Sequence, residues 1–277
     1  MHPQSTPRPR APAVLADITQ GRRLWHHRRA GLGAQLVTYP PAREMGRHSH
    51  TTGNITLILA GSFEEEIDGH DYHCGPLCVV FKPAGTVHAT RAGETGTRTL
   101  VIEVDRDVED ELRRRFGLFG ECRWFHELCG LVPCVLGLGR ELRHGSEGSL
   151  DAWFARLGQA AAAAPRAAPR PCIGGHVRRA VDILRKECSI STATLAQRLG
   201  LHPVYLARLF RQELGCSPGR MRQGLRLATA LDQIVRSERP LAHAALEAGF
   251  ADQSHLSRQI KRHAGISAGA LRRLGSG

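Results

Sequence analysis

Long apolar runs are missing from this sequence of 277 residues. It contains no stretch of about 20 uninterrupted apolar residues, the length that a membrane-spanning helix needs. Residues 1–10 are polar and rich in proline, and they lack the apolar run of a secretory signal peptide. Its hydrophobic content of 42% is that of a globular protein, and its length allows two ordinary domains. We therefore expect a cytoplasmic protein with two cores.

Paired cysteine motifs are also missing. The eight cysteines include no CxxC pair, so neither a zinc ribbon nor a thioredoxin-like site is expected. In a reducing cytosol they are expected to be thiols that pack as small apolar side chains. The alternative is a thiol sensor around Cys122, Cys129 and Cys134.

Acidic residues are scarce in the last third of the chain. Residues 1–172 carry 21 Lys and Arg against 19 Asp and Glu, whereas residues 173–277 carry 17 against 7. The net charge is +12, so nearly all of the excess lies in the C-terminal part. A basic block that also has regularly spaced apolar residues predicts a folded domain with a polyanionic partner. Nucleic acid is the first candidate, and an anionic membrane surface is the second.

Local patterns divide the chain into five segments. Residues 33–104 show short apolar alternations between frequent glycines, which predicts a β-barrel or sandwich, and residues 108–157 show helical spacing. Three prolines interrupt residues 159–171, which indicates a linker. The predicted segments are a flexible N-terminal segment (1–30), a barrel (31–105), a helical region (106–158), a linker (159–172) and a helical domain (173–277).

An internal repeat relates residues 195–222 to residues 244–272. At an offset of 50, Leu206 matches Leu256, Arg208 matches Arg258, and Gly215 matches Gly265. Upstream of these positions the offset is 49, which indicates one inserted residue in the turn. Each copy has the spacing of a helix-turn-helix, and residues 218–236 between them predict a connecting helix about 28 Å long.

The outward faces of the two second helices carry side chains suited to a major groove. Arg and Gln bond base edges, Ser bonds either partner, and Val and Ala contact thymine methyl groups, while Arg211 and Lys261 suit phosphates. The predicted DNA-binding residues are Val204, Ala207, Arg208, Arg211, Gln253, Ser254, Ser257, Arg258 and Lys261.

Residues 195–211 and 248–258 resemble the pattern of the AraC/XylS family of transcription regulators. Ile260, Ala268 and Leu271 replace residues that are usually Phe, Pro and Tyr, and these replacements keep apolarity or helix propensity. The resemblance implies a regulator of double-stranded DNA that is not an enzyme. It also implies a homodimer paired through residues 106–158, with RNA polymerase as a further partner if the protein is an activator.

His48-Ser49-His50, with Asn54 and residues 83–88, resembles the two motifs of a cupin barrel. Together with the preceding patterns, this predicts an α+β fold of two domains. A cupin-like β-barrel with trailing helices precedes an all-α domain of two helix-turn-helix units joined by a long helix.

The predicted effector-binding residues in the barrel are His48, His50, Asn54 and His88. They are interpreted as the lining of a small-molecule pocket, without a cofactor. Two alternatives stay open: the histidines are structural, or His48, His50 and His88 bind a divalent metal, in a sensor or a metal-dependent enzyme. Asn54 stands where many metal cupins have a carboxylate, and Glu44 is the available substitute.

Overall fold

The computed structural model describes residues 13–15, 20–125, 130–145, 150–164, 175–214 and 216–275. Within these ranges the N-terminal part is a bent nine-stranded sheet with three helices, and the C-terminal part has seven helices. None of the described helices is long and apolar enough to cross a membrane. The predicted α+β class with two domains is confirmed.

The strands are β1 (Ala13–Leu15), β2 (Arg22–Arg29), β3 (Leu32–Tyr39), β4 (Glu44–His50), β5 (Gly53–Ile67), β6 (His70–Cys74), β7 (Val79–Lys82), β8 (His88–Val104) and β9 (Arg123–Phe125). The helices are α1 (Arg106–Phe116), α2 (Leu131–His144), α3 (Leu150–Ala163), α4 (Gly175–Lys186), α5 (Thr192–Arg198), α6 (Pro203–Leu214), α7 (Pro218–Arg236), α8 (Leu241–Glu247), α9 (Gln253–Ala264) and α10 (Ala268–Gly275).

The sheet is organised around its two longest strands, β5 and β8. These strands pair with each other, β8 also pairs with β3 and β4, and β5 also pairs with β6 and β7. Register shifts in β5 near Ala60 and Ser62 bend the strand. The bend lets the sheet curl around an interior, and we call this unit the barrel.

Both faces of the sheet are apolar, because successive side chains of a strand point to opposite faces. On β5, Leu57 and Leu59 face outward toward the helices, and Ile58 faces the barrel interior. On β3, Leu36 faces outward and Val37 faces inward. One sheet therefore serves two separate cores.

The boundaries of the barrel differ from those expected. Residues 1–30 were expected to be a flexible segment, but β2 pairs with β3 and buries Trp25. Most side chains of β2 are Arg or His, so its sequence lacks the apolar alternation that identifies a strand. In the region expected to be helical, β9 adds a short strand to β7.

The predicted linker begins too early. Helix α3 continues through Ala163, because alanine is the best helix former and the first interrupting proline is Pro165. The rest of the linker lies outside the described residues, apart from Ala164.

The first helix-turn-helix unit, α4 to α6, has a core of its own. Val177, Leu195, Leu206 and Phe210 are fully buried in it, and Met221 at the start of α7 closes it. Ser217 caps α7 by accepting a hydrogen bond from the Arg220 N–H, at the helix start predicted from sequence.

The second unit, α8 to α10, shares its core with the N-terminal domain. Leu231 and Ile234 of α7, Leu256 and Ile260 of α9, and the outward face of the barrel belong to one continuous apolar cluster. We call this cluster the shared core. Helix α2 lies within it and contacts α9, and the Cβ of Pro133 would be 2.8 Å from a Cβ placed at Gly265.

Polar contacts surround the shared core. The Gly61 N–H donates to Asp232 Oδ1 at 3.0 Å, and Arg236 donates to the Gly96 carbonyl at 3.0 Å. The indole N–H of Trp25 donates to the Leu274 carbonyl at 3.2 Å, and Arg143 donates to the Arg273 carbonyl at 3.0 Å. The barrel and the second unit are therefore joined by directional bonds as well as by apolar burial.

We expect Asp232→Ala to lower the free energy of unfolding by about 1–2 kcal/mol, because it leaves the Gly61 N–H without its acceptor. Asp182→Ala is the matched control, since its exposed carboxylate lies 3.9 Å from Arg185 on the surface of α4 and should cost less than about 0.5 kcal/mol. Urea denaturation of the full chain measures both. Equal costs for the two variants would contradict this role of Asp232.

Candidate DNA interface and barrel pocket

The first candidate recognition helix is α6. Helix α5 begins at the Ser191 cap, whose hydroxyl accepts from the Thr194 N–H, and Gly200 turns the chain with a φ of +67°. Leu206 and Phe210 hold α6 to the core. The opposite face therefore points away from the protein.

The predicted side chains of α6 are on that free face. Val204 is 71% exposed, Arg208 and Arg211 are exposed, and Ala207 is half-buried. The guanidinium of Arg208 lies over the ring of Tyr205, 5.2 Å from its centroid. Sequence reasoning missed Tyr205, although an aromatic three residues before an arginine on one helix is the signal for such a contact.

The second candidate recognition helix, α9, starts as predicted. Asp252 Oδ1 accepts from the His255 N–H at 2.6 Å, and the helix ends at Gly265 in the left-handed region with a φ of +70°. Leu256 and Ile260 are buried in the shared core. The helix is therefore fixed to the barrel side of the molecule.

The outward face of α9 is more polar than that of α6. Gln253, Ser254, Arg258 and Lys261 are exposed, and Ser257 is half-buried. Within the described ranges, none of Arg208, Arg211, Arg258 and Lys261 has an acidic partner. These four positive charges are available to an external anion.

The barrel interior brings the four predicted pocket residues together. His48, His50, Asn54 and His88 are all buried and line one cavity of about 40 Å³. Glu44 is not among the residues lining it, because Glu44 is exposed at the start of β4 and pairs with Arg91. Asn54 Oδ1 accepts from Thr56.

Three imidazoles meet in this cavity. The ring centroids of His48, His50 and His88 are 4.3–5.1 Å apart. His48 and His50 are two apart on β4 and so lie on one face, and His48 is the cross-strand partner of His88 on β8. Local strand geometry and sheet register together produce the cluster.

The protonation of two of these rings follows from their surroundings. Burial lowers the pKa of both His48 and His88 below the ordinary value, and the positive charge of Lys82 lowers it further. Nδ1 of His48 lies 2.6 Å from the Gly46 carbonyl, and Nδ1 of His88 lies 3.0 Å from the Thr86 carbonyl. Both rings are therefore neutral at pH 7 with the proton on Nδ1.

A buried ion pair completes the cavity wall. Lys82 of β7 donates to Glu65 of β5, and Thr90 donates to the same carboxylate at 3.4 Å. Both charged side chains are less than a tenth exposed. The sequence offered no signal for this pair, because Glu65 lies in a run of three glutamates and Lys82 follows three apolar residues.

The proposed thiol sensor gains no support. The described cysteines are free thiols, and burial raises the pKa of the Cys122 thiol, which reduces its thiolate content at neutral pH. Cys129 lies outside the described residues.

Two domain families match this chain. An AraC-like ligand binding domain matches residues 37–154, and a helix-turn-helix domain matches residues 195–274. The chain belongs to the AraC/XylS family. The ligand-binding domain precedes the helix-turn-helix module in this AraC/XylS chain. The same order is seen in the structure, where the barrel precedes the helical domain.

Curated relatives match part of the AraC/XylS chain. The arabinose operon regulatory protein of Escherichia coli is 31% identical over 105 residues, which cover 37% of this chain and 36% of that protein. The regulatory protein ada of Salmonella typhimurium is 30% identical over 96 residues, which cover 35% of this chain and 27% of that protein. The chain thus aligns with about a third of the length of these relatives.

Two solved structures also resemble this chain. The C-terminal domain of AraT, a response regulator from Geobacillus stearothermophilus, is 28% identical with a TM-score of 0.35, over 37% of this chain and 88% of that chain. ToxT from Vibrio cholerae is 9% identical with a TM-score of 0.39, over 89% of this chain and 99% of that chain.

We expect Asp252→Ala to lower the free energy of unfolding by about 1 kcal/mol, because α9 loses the acceptor for its first-turn N–H group. Asp252→Asn is the control, since asparagine caps a helix nearly as well as aspartate. Thermal unfolding followed by circular dichroism measures both. A loss in the Asn variant as large as in the Ala variant would indicate that charge, and not capping, is responsible.

Proposed function

We propose that this chain is a cytoplasmic transcription regulator that binds the DNA major groove with α6 and α9, under the control of a ligand held in the barrel. The observation that carries this proposal is the pair of exposed, acid-free helix faces at repeated positions, attached to an AraC-like ligand binding domain. Two such helices at repeated positions are much stronger evidence for DNA binding than one amphipathic helix is.

The proposed roles follow from side-chain chemistry. Arg208, Gln253 and Arg258 read base edges, because guanidinium and amide groups bond guanine and adenine in a bidentate manner. Arg211 and Lys261 contact phosphates. Van der Waals contact with thymine methyl groups falls to the smaller apolar side chains of α6, Val204 and Ala207, while Ser254 and Ser257 of α9 donate to or accept from bases. Hydrogen-bond readout is therefore denser under the second unit.

The shared core supports a route from ligand to DNA. Ile58 faces the barrel cavity, and its neighbours Leu57 and Leu59 on β5 belong to the shared core that holds α7 and α9. A ligand that displaces β5 would therefore alter the packing of the second unit. Control works in this scheme because the ligand binds one arrangement of the interface better than the other.

We also propose a homodimer, on the basis of the family resemblance. Its interface would be polar and not apolar. In the described part of residues 106–158, the large apolar side chains are buried or half-buried, and the exposed positions of α1 are charged. Pairing through this region would therefore use polar contacts, such as those that the exposed Arg115 side chain can make. Sedimentation at 50 mM and 500 mM salt tests it, since polar pairing should weaken with salt.

We expect Arg258→Ala to lose about 1–3 kcal/mol of discrimination at particular base pairs, because its planar group reads base edges. Lys261→Ala should instead weaken binding to all sequences alike and reduce the salt slope by about 1, as for a phosphate contact. Binding to sites selected from random duplex DNA measures both effects.

Arg43→Ala is the matched control, because this exposed arginine between β3 and β4 has the same charge but lies outside both helix-turn-helix units and outside residues 106–158. It should leave affinity and selectivity unchanged. Equal, sequence-independent losses in all three variants would contradict the assignment of base readers, and a flat salt dependence of the wild type would contradict the electrostatic argument.

A further inference from the structure

We propose that His48, His50 and His88 bind a divalent first-row transition metal ion, and that this ion is the ligand that controls DNA binding. The second half of this inference rests on the function proposed above, and the first half does not. Imidazole nitrogens suit ions such as Zn²⁺ and Ni²⁺ and are poor ligands for Mg²⁺.

The geometry of the three rings supports a metal centre. One ligand atom from each histidine lies within 4.8 Å of the others, and all three residues are buried. Three nitrogens bound to one ion at about 2.0–2.1 Å would be closer together than that, so the three rings move toward one another when an ion binds. Three protein ligands leave a further position for water or another oxygen donor.

Neighbouring carbonyl groups prepare the rings for this role. A carbonyl oxygen only accepts, so the contacts from Nδ1 of His48 to Gly46 and from Nδ1 of His88 to Thr86 place the proton on Nδ1. The free lone pair is then on Nε2. Metal-ligating histidines are held in the same way, with the second ring nitrogen donating to a carbonyl or carboxylate.

The size of the cavity favours an ion over an organic molecule. A buried water occupies about 10–15 Å³ of cavity space, so 40 Å³ accommodates an ion with one or two waters. Pockets for drug-sized ligands measure about 300–1,000 Å³. The cavity is therefore much smaller than a site for a drug-sized molecule.

The charges of Lys82 and Glu65 affect the affinity of the site for an ion, so substitutions of these two residues should change that affinity. Imidazole ligands carry no charge when they bind an ion, so they leave its full +2 uncompensated in a buried space. Glu65 is the carboxylate lining the described cavity, and its present partner is Lys82. The negative charge of Glu65 therefore favours binding of the ion, whereas the positive charge of Lys82 opposes it.

The first experiment measures metal binding by the purified full chain after chelator treatment. Calorimetry with Zn²⁺ and Ni²⁺ should give one ion per chain, and Mg²⁺ should give none. We expect His48→Ala and His88→Ala each to weaken Zn²⁺ binding about 100-fold or more, since changes in supporting residues alone cost 10–100-fold. Lys82→Met should strengthen binding about tenfold, and Glu65→Gln should weaken it.

His70→Ala is the matched control. His70 makes the same local bond, from Nδ1 to the carbonyl two residues earlier at 3.0 Å, but it is exposed and outside the cavity. Its substitution should leave Zn²⁺ affinity unchanged. Circular dichroism verifies folding, and if one histidine variant unfolds, the other histidine variant and the opposite effects of Lys82→Met and Glu65→Gln decide the matter.

Substoichiometric Zn²⁺ binding, or equal affinity in His48→Ala, His88→Ala and wild type, would overturn the metal site. The second experiment measures wild-type binding to selected DNA with and without Zn²⁺, and we expect at least a fivefold change. An unchanged DNA affinity with metal bound would overturn the regulatory role and leave the site standing. Failure to bind DNA in either state would overturn the proposed function instead.

Discussion

The shared core is the constraint on which the rest of this structure depends. The sheet must bury two apolar faces. Helices α2, α7 and α9 cover the outer face, and the inner face is buried inside the barrel. The interior is left with a polar cluster of imidazoles and one ion pair. The histidine cavity and helix α9 are thus separated by a single layer of strands.

The two helix-turn-helix units differ in how independent they are. The first closes around its own cluster, whereas the second lacks a separate core in the described residues. The two copies of one repeat therefore bury their apolar side chains against different neighbours. The copy that depends on the barrel is also the copy with the more polar recognition face.

Local signals made much of the helical domain predictable from sequence. The repeat, the Ser217 and Asp252 caps and the glycine turns are set by neighbours a few residues apart, and α7 has the limits predicted for it. The three histidines were likewise found from motif spacing. Strand β2, the Lys82–Glu65 pair and the docking of α9 depend on partners far away in sequence, or carry atypical residues, so no local pattern indicated them.

Helix α7 has the geometry of a lever arm, because its two ends belong to different cores. It is one unbroken helix of 19 residues, about 28 Å long, with Met221 in the first unit and Leu231 and Ile234 beside the barrel. A tilt of about 10° at the docked end would displace the far end by roughly 5 Å, about one helical turn. A change far smaller than a rearrangement of domains would thus be enough to move the first recognition helix relative to the second.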